Sequence, residues 1–175
     1  IAEIKGTDLA DEVVIAGAHF DAHIGGTGAQ DNATGAAHVM EAARILKAIG
    51  AKPRRTVRFA LWGSEEHGHG GSRAYVAKHY GDRETQKYTQ EHEKLSGYFN
   101  LDFSTGRIRG VYLMGNMLAL PIMTEWIKPF HDLGMTHCIL APGEGIGSDH
   151  VEFEAVGLPA FPFLQDRVEN ASRTW

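Results

Sequence analysis

Val13-Val14-Ile15-Ala16-Gly17-Ala18-His19-Phe20-Asp21 is the stretch on which the fold turns. Residues 13–18 are apolar without alternation, the mark of a short strand covered on both faces. The run ends on His19 and Asp21, and Gly25, Gly26 and Gly28 mark a loop after it. From about residue 32 to 49 the pattern turns helical. Ala36, Val39, Ala43 and Leu46 share one face, Lys47 sits in the last turn and Gly50 terminates it. Pro53 blocks continuation, and 55–62 reads as a second strand with Val57, Phe59 and Leu61 alternating. Further on, the pattern predicts a helix at 72–80, a surface helix or loop at 82–94, and strands at 97–103 and 111–114. A helix at 118–133 carries Pro121 in its first turn, and a short strand at 139–140, a short helix at 151–156 and a strand at 158–164 follow. Strands alternating with helices predict an α/β fold, with helices sandwiching a mostly parallel or mixed sheet.

Composition narrows the function. The 175 residues are 43% hydrophobic and 22% charged, in the range of one globular domain with a real core. Seventeen Lys+Arg against 22 Asp+Glu give a net charge of -5, which argues against a nucleic-acid partner. A single cysteine, Cys138, excludes an internal disulfide framework and reads as a small buried hydrophobe. No apolar run approaches the length of a membrane span. No repeat, linker or low-complexity run divides residues 1–175, so they read as one domain. Ile1 has no Met before it and starts inside an apolar-alternating strand, so the domain is expected to be part of a longer chain.

In such sheets ligands collect beyond the carboxyl ends of the strands. Three strands end there in metal-type residues: His19 and Asp21, Glu65 and Glu66, and Asp102, while Asp31 precedes the first long helix. Each has an ordinary reading alone. Asp31 beside Asn32 suits a helix N-cap, Glu65-Glu66 a solvated loop, and His-x-Asp a surface pair. Together they form a hard-oxygen and imidazole set suited to Zn²⁺, and the clustered carboxylates call for a cation. His19 can ligate through one ring nitrogen while Asp21 holds the other N–H. One of Glu65 and Glu66 can ligate while its neighbour acts as general base, and Asp31 can bridge two metals.

Four segments carry a resemblance: VVIAGAHFDAHIGGTGAQDNATGAAHVMEAARIL, RRTVRFALWGSEEHGHGGSRAYV, NLDFSTG and GIGSDHVEFEAVGLPAF. They resemble the zinc-dependent exopeptidases that include bacterial leucine aminopeptidases and carboxypeptidase Q, and they span about residues 13 to 163. The resemblance implies an α/β/α sandwich and two zinc ions. It implies that Asp31 bridges the two, that His19 and Asp102 complete the ligands of one, and that Glu66 ligates the other. Glu65 is then the general base, Asp21 the partner of His19, and Ser148, Asp149 and His150 a segment that supports the ligands and lines the pocket. The implied reaction is hydrolysis of a peptide or dipeptide near a free N-terminus. Glu65 takes a proton from a zinc-held water and returns it to the leaving amine. Lys52-Pro-Arg-Arg-Thr-Val with Leu61-Trp62 is most like carboxypeptidase Q-like members, which keeps dipeptide cleavage open.

One departure stands out. The family's last zinc ligand is a histidine in a His-Thr/Ser-x-x-Asp-Thr type segment, which residues 1–175 do not contain. This piece alone is therefore expected to hold one zinc's ligands complete and the other's incomplete, which leaves its activity by itself open. His67, His69, His79, His92, His131 and His137 do not sit in that context, and His67 and His69 read as loop histidines. Two further readings stay open: acyl transfer by a one-zinc, glutaminyl-peptide cyclase-like enzyme, and a non-catalytic receptor-like domain. A secreted or periplasmic location is what the resemblance implies; side-chain preference and oligomeric state are left open. Asn170-Ala171-Ser172 fits a glycosylation acceptor, Phe161 and Phe163 read as core residues of an interior strand, and Trp175 is a candidate pocket residue.

Overall fold

A computed structural model of the chain describes residues 1–102, 106–140 and 147–166. Trp175 and Asn170-Ala171-Ser172 lie outside the described residues, as does Phe103 of the third expected strand. The strands are β1 (Ala2–Ile4), β2 (Leu9–His19), β3 (Arg55–Trp62), β4 (Gly81–Asp82), β5 (Lys87–Tyr88), β6 (Leu95–Asn100), β7 (Ile108–Tyr112), β8 (His137–Ile139) and β9 (Ala160–Gln165). The helices are α1 (Thr34–Ala48), α2 (Gly70–His79), α3 (Ala119–Ile127) and α4 (His150–Glu154). Seven strands form one sheet in the order β1-β3-β2-β6-β9-β7-β8. Its centre is parallel: β2 runs with β3 and β6, and β6 with β9. The outer pairs β1–β3 and β7–β9 are antiparallel, which makes the sheet mixed.

The run 13–18 forms the middle of β2, and its two faces explain the absence of polar alternation. Ala16 and Ala18 face the layer of α1, packing with Val39 and Phe59. Ile15 faces the layer of α2 and α4, packing with Trp62, Val76, Tyr98 and Phe153. The register carries this division across the sheet, pairing Ile15 with Tyr98 and Ala16 with Phe99. Phe99 in turn pairs with Phe161, which packs with Met123 of α3. Helices α1 and α3 therefore cover one face and α2 and α4 the other, a three-layer α/β/α sandwich. Phe161 is buried, and Phe163 and Cys138 pack partly buried against the same cluster.

Several boundaries differ from the expected ones, and three of the differences have a clear local reason. The helix expected at 118–133 ends as α3 at Ile127 and continues as a tighter turn, Lys128–Leu133. Pro129 has no N–H to continue the α ladder and its ring crowds the preceding turn. Residues 82–94 are neither a helix nor a plain loop. The Asp82 carboxylate accepts the N–H groups of Glu84 and Thr85, closing a turn between β4 and β5. Helix α2 starts two residues earlier than expected because Gly71 seats it against the end of β3. A Cβ at Gly71 would lie 2.6 Å from the Gly63 carbonyl oxygen.

Candidate metal centre

Parallel pairing puts the carboxyl ends of β3, β2 and β6 at one edge of the sheet. There His19 pairs with Trp62, and Gly17 with Asn100, so the segments carrying Glu65 and Asp102 leave the sheet beside His19. Asp31 arrives from the irregular turn Ala29–Ala33, where Asp31 and Asn32 have non-helical backbone angles. Asn32, not Asp31, performs the cap expected here: its Oδ1 accepts the Gly35 N–H at 3.1 Å. Its Nδ2 donates to the Leu101 carbonyl at 3.0 Å, tying the Asp31 turn to the Asp102 segment. The Asp31 carboxylate is thereby left to the site.

His19 is 1% exposed and forms the hub. Its Nε2 lies 2.9 Å from Asp31 Oδ1, 3.0 Å from Asp102 Oδ1 and 3.9 Å from Glu65 Oε2. Ligand-type atoms of His19, Glu65 and Asp102 all lie within 4.8 Å of one another. The other ring nitrogen departs from expectation. Nδ1 lies 3.2 Å from the main-chain carbonyl of Asp21 and 3.5 Å from its carboxylate, so the hydrogen bond falls to the carbonyl. The Asp21 carboxylate instead accepts the N–H groups of Glu65 at 3.0 Å and Glu66 at 3.3 Å. It fastens the Glu65-Glu66 loop under the imidazole.

The electrostatics follow from so many acids around one ring. Burial lowers the His19 pKa, but hydrogen bonding to Asp102 and Asp31 outweighs it and raises it to about 11. Burial, with Asp102 nearby, pushes Glu65 up to about 8. Burial and the Asp31 charge also raise Glu66, whose Oε1 is buried with no hydrogen-bond partner among the described residues. One imidazolium does not balance these carboxylates, and the orphaned Glu66 oxygen points the same way. A hard divalent cation fits this donor set.

Ser148, Asp149 and His150 lie fully buried behind this cluster. Ser148 Oγ accepts from Asn100 Nδ2 at 3.1 Å, extending the buried line Trp62 Nε1 to Tyr98 OH (2.8 Å) to Asn100 Oδ1 (2.5 Å). Asp149 accepts from Ser72 Oγ at 2.5 Å, and burial, against that bond, raises its pKa to about 6. His67 is half exposed, with Nδ1 4.0 Å from Asp21. His69 lies in the loop before α2, as expected, and its Nε2 lies 3.6 Å from Glu65 Oε1. Two cues in the sequence bear on it, its i+4 spacing from Glu65 and its place between Gly68 and Gly70.

Fold and site together define an α/β/α domain with a carboxylate-imidazole cluster at the carboxyl edge of its parallel strands. The chain belongs to peptidase family M28, which it matches over residues 1–175. It is similar to leupeptin-inactivating enzyme 1 of Streptomyces exfoliatus, 32% identical over 160 residues, covering 91% of this chain and 34% of that protein. Carboxypeptidase Q of Bos taurus is 30% identical over 166 residues, covering 95% of this chain and 33% of that one. Among solved structures, a peptidase M28 precursor from Shewanella amazonensis SB2B superposes with a TM-score of 0.80 at 31% identity, covering 99% of this chain and 36% of that chain. The chain thus spans about a third of the length of the curated relatives it matches. Among the described residues no helix is long and apolar enough to cross a membrane.

Proposed function

We propose that this chain carries the catalytic centre of a zinc-dependent exopeptidase acting near a free N-terminus, as an aminopeptidase or a dipeptidase. The observation that carries the reading is the convergence of Asp31, Asp102 and Glu65 on one buried ring nitrogen of His19. His19, Asp31 and Asp102 would hold one zinc, and Asp31 with Glu66 a second. When bound, the metal supplies Lewis acidity toward the scissile carbonyl and lowers the pKa of a water.

The remaining chemistry is the chain's own. Glu65 takes a proton from the attacking water onto its carboxylate as the C–O bond forms. It returns that proton to the amine nitrogen as the C–N bond breaks. Burial raises the Glu65 carboxyl above its ordinary range, toward that of a group that both accepts and gives a proton. Asp21 holds the loop that presents it, through the Glu65 and Glu66 N–H groups.

Hydrolysis of a leucyl anilide and of dipeptides, with zinc added and with a chelator, tests the reading on the intact protein. Turnover abolished by chelation and restored by zinc is expected. Cyclisation of an N-terminal glutamine peptide without hydrolysis, or no stoichiometric metal, overturns it. A secreted or periplasmic location goes with the proposal and is checked by cell fractionation. So does membership of residues 1–175 in a single catalytic domain, checked by limited proteolysis.

A further inference from the structure

The two oxygens of Glu65 face two different imidazoles. Oε2 lies 3.9 Å from His19 Nε2, and Oε1 lies 3.6 Å from His69 Nε2. At 3.6 Å the second contact is an ion-pair distance rather than a hydrogen bond, as is common for active-site pairs before substrate closes on them. The far nitrogen of His69 is tied down: Nδ1 lies 3.1 Å from Oε1 of Glu152 on α4. Glu152 is 2% exposed and is itself clamped, by Arg73 through Nε at 3.2 Å and Nη2 at 3.0 Å, and by Arg83 through Nη1 at 3.0 Å. An anion so placed fixes the ring. It accepts the Nδ1–H hydrogen bond and turns Nε2 toward Glu65, as an orienting carboxylate does for a catalytic imidazole.

Two observations separate this from a histidine that merely fills space. Glu152 already has three hydrogen bonds from the two arginines, so it does not need His69 for its charge to be satisfied. His69 also sits in the left-handed region, at φ 58 and ψ 34, where glycine would fit without strain. The left-handed backbone by itself does not call for an imidazole.

We propose that His69, oriented by Glu152, is a positioning residue for the Glu65 carboxylate, an inference that rests on the function proposed above. With Oε1 against His69 and Oε2 toward His19, the carboxylate is held against rotation about its terminal bond. The plane in which it receives and returns the proton is then set before substrate arrives.

Three variants of the full-length, zinc-loaded protein test this. The amide nitrogen of asparagine overlays histidine Nδ1, and that of glutamine overlays Nε2. His69→Asn thus keeps the Glu152 bond and tolerates the left-handed backbone but presents nothing to Glu65. His69→Gln presents a side-chain amide to Glu65 in place of Nε2, and His69→Leu removes both groups. The expected result is kcat lowered by about 10- to 100-fold in His69→Asn and His69→Leu, the usual scale for a residue supporting a site. KM, zinc content and melting temperature stay close to those of the unmodified protein in His69→Asn, and His69→Gln recovers most of kcat. A crystal structure of His69→Asn is expected to show the Glu65 carboxylate rotated. Full activity in His69→Asn overturns the proposal, because a structural role survives in that variant. A raised KM with unchanged kcat overturns it too, since that marks a substrate contact. Absence of hydrolysis by the unmodified protein overturns the proposed function first, and this inference with it.

Discussion

Replacing Asp21 with alanine removes the one carboxylate that fastens the Glu65-Glu66 loop, and its cost follows from the bonds it makes. Its oxygens accept the Glu65 N–H at 3.0 Å and the Glu66 N–H at 3.3 Å. Hydrogen bonds to a charged group contribute roughly 1.5–3 kcal/mol each. The low end applies here, because the Asp21 side chain is 23% exposed and water can replace part of what is lost. Asp21 also raises the pKa of Glu66 through repulsion, which its removal relieves. A net loss of about 2 kcal/mol remains, which for a domain of this size lowers the melting temperature by roughly 4–8 °C. Zinc affinity is expected to fall by about 10- to 100-fold, because the untethered loop no longer presents Glu66. Asp21→Asn, which keeps one acceptor oxygen, is expected to fall between the two. Thermal unfolding and competition with a chromophoric chelator measure both effects. Asp21→Ala with unchanged melting and unchanged zinc affinity refutes the reasoning, since the loop would then be held by something else.

Glu65→Gln keeps the shape of the side chain but not the base, and kcat is expected to drop by about 10²–10⁴-fold with zinc content retained. Steady-state kinetics beside metal analysis checks it. Tyr98→Phe strands the Trp62 N–H and the Asn100 oxygen in a fully buried place, and a loss of about 2–4 kcal/mol is expected in denaturant titration. In chelated protein, stability should fall as pH rises from about 5 to 9. Burial holds Glu65 at about 8 and Asp149 at about 6, so the folded state binds more protons than the unfolded chain up to those values. His19, raised to about 11 by Asp102 and Asp31 against burial, adds stability that is complete below 6.5 and declines above it. Melting temperature against pH in a chelator checks the sign, and a rise over this range contradicts it.

The layers of the fold are readable because β2 presents apolar residues to both faces, Ile15 to one and Ala16 and Ala18 to the other, and α1 carries one clean apolar stripe. His19, Asp31, Glu65, Glu66 and Asp102 stood out because polar side chains at the ends of buried strands need a reason. The structure brings His19, Asp31, Glu65 and Asp102 around one nitrogen. What sequence did not disclose depended on which atom faces which. Asp21 meets His19 through its carbonyl and Glu65-Glu66 through its carboxylate, a division no spacing encodes. His69 owes its place to Glu152, 83 residues later, and to the two arginines behind it. The turn at 81–88 was missed because its cause is the Asp82 carboxylate closing on the N–H groups of Glu84 and Thr85.

The central claim is that the carboxyl edge of the sheet is a zinc site. Anomalous diffraction at the zinc edge from crystals of the intact protein tests it most directly. The account expects one peak within bonding distance of His19, Asp31 and Asp102 and a second shared by Asp31 and Glu66. Protein crystallised with zinc in excess that shows no peak at His19, or a peak only elsewhere on the chain, contradicts it.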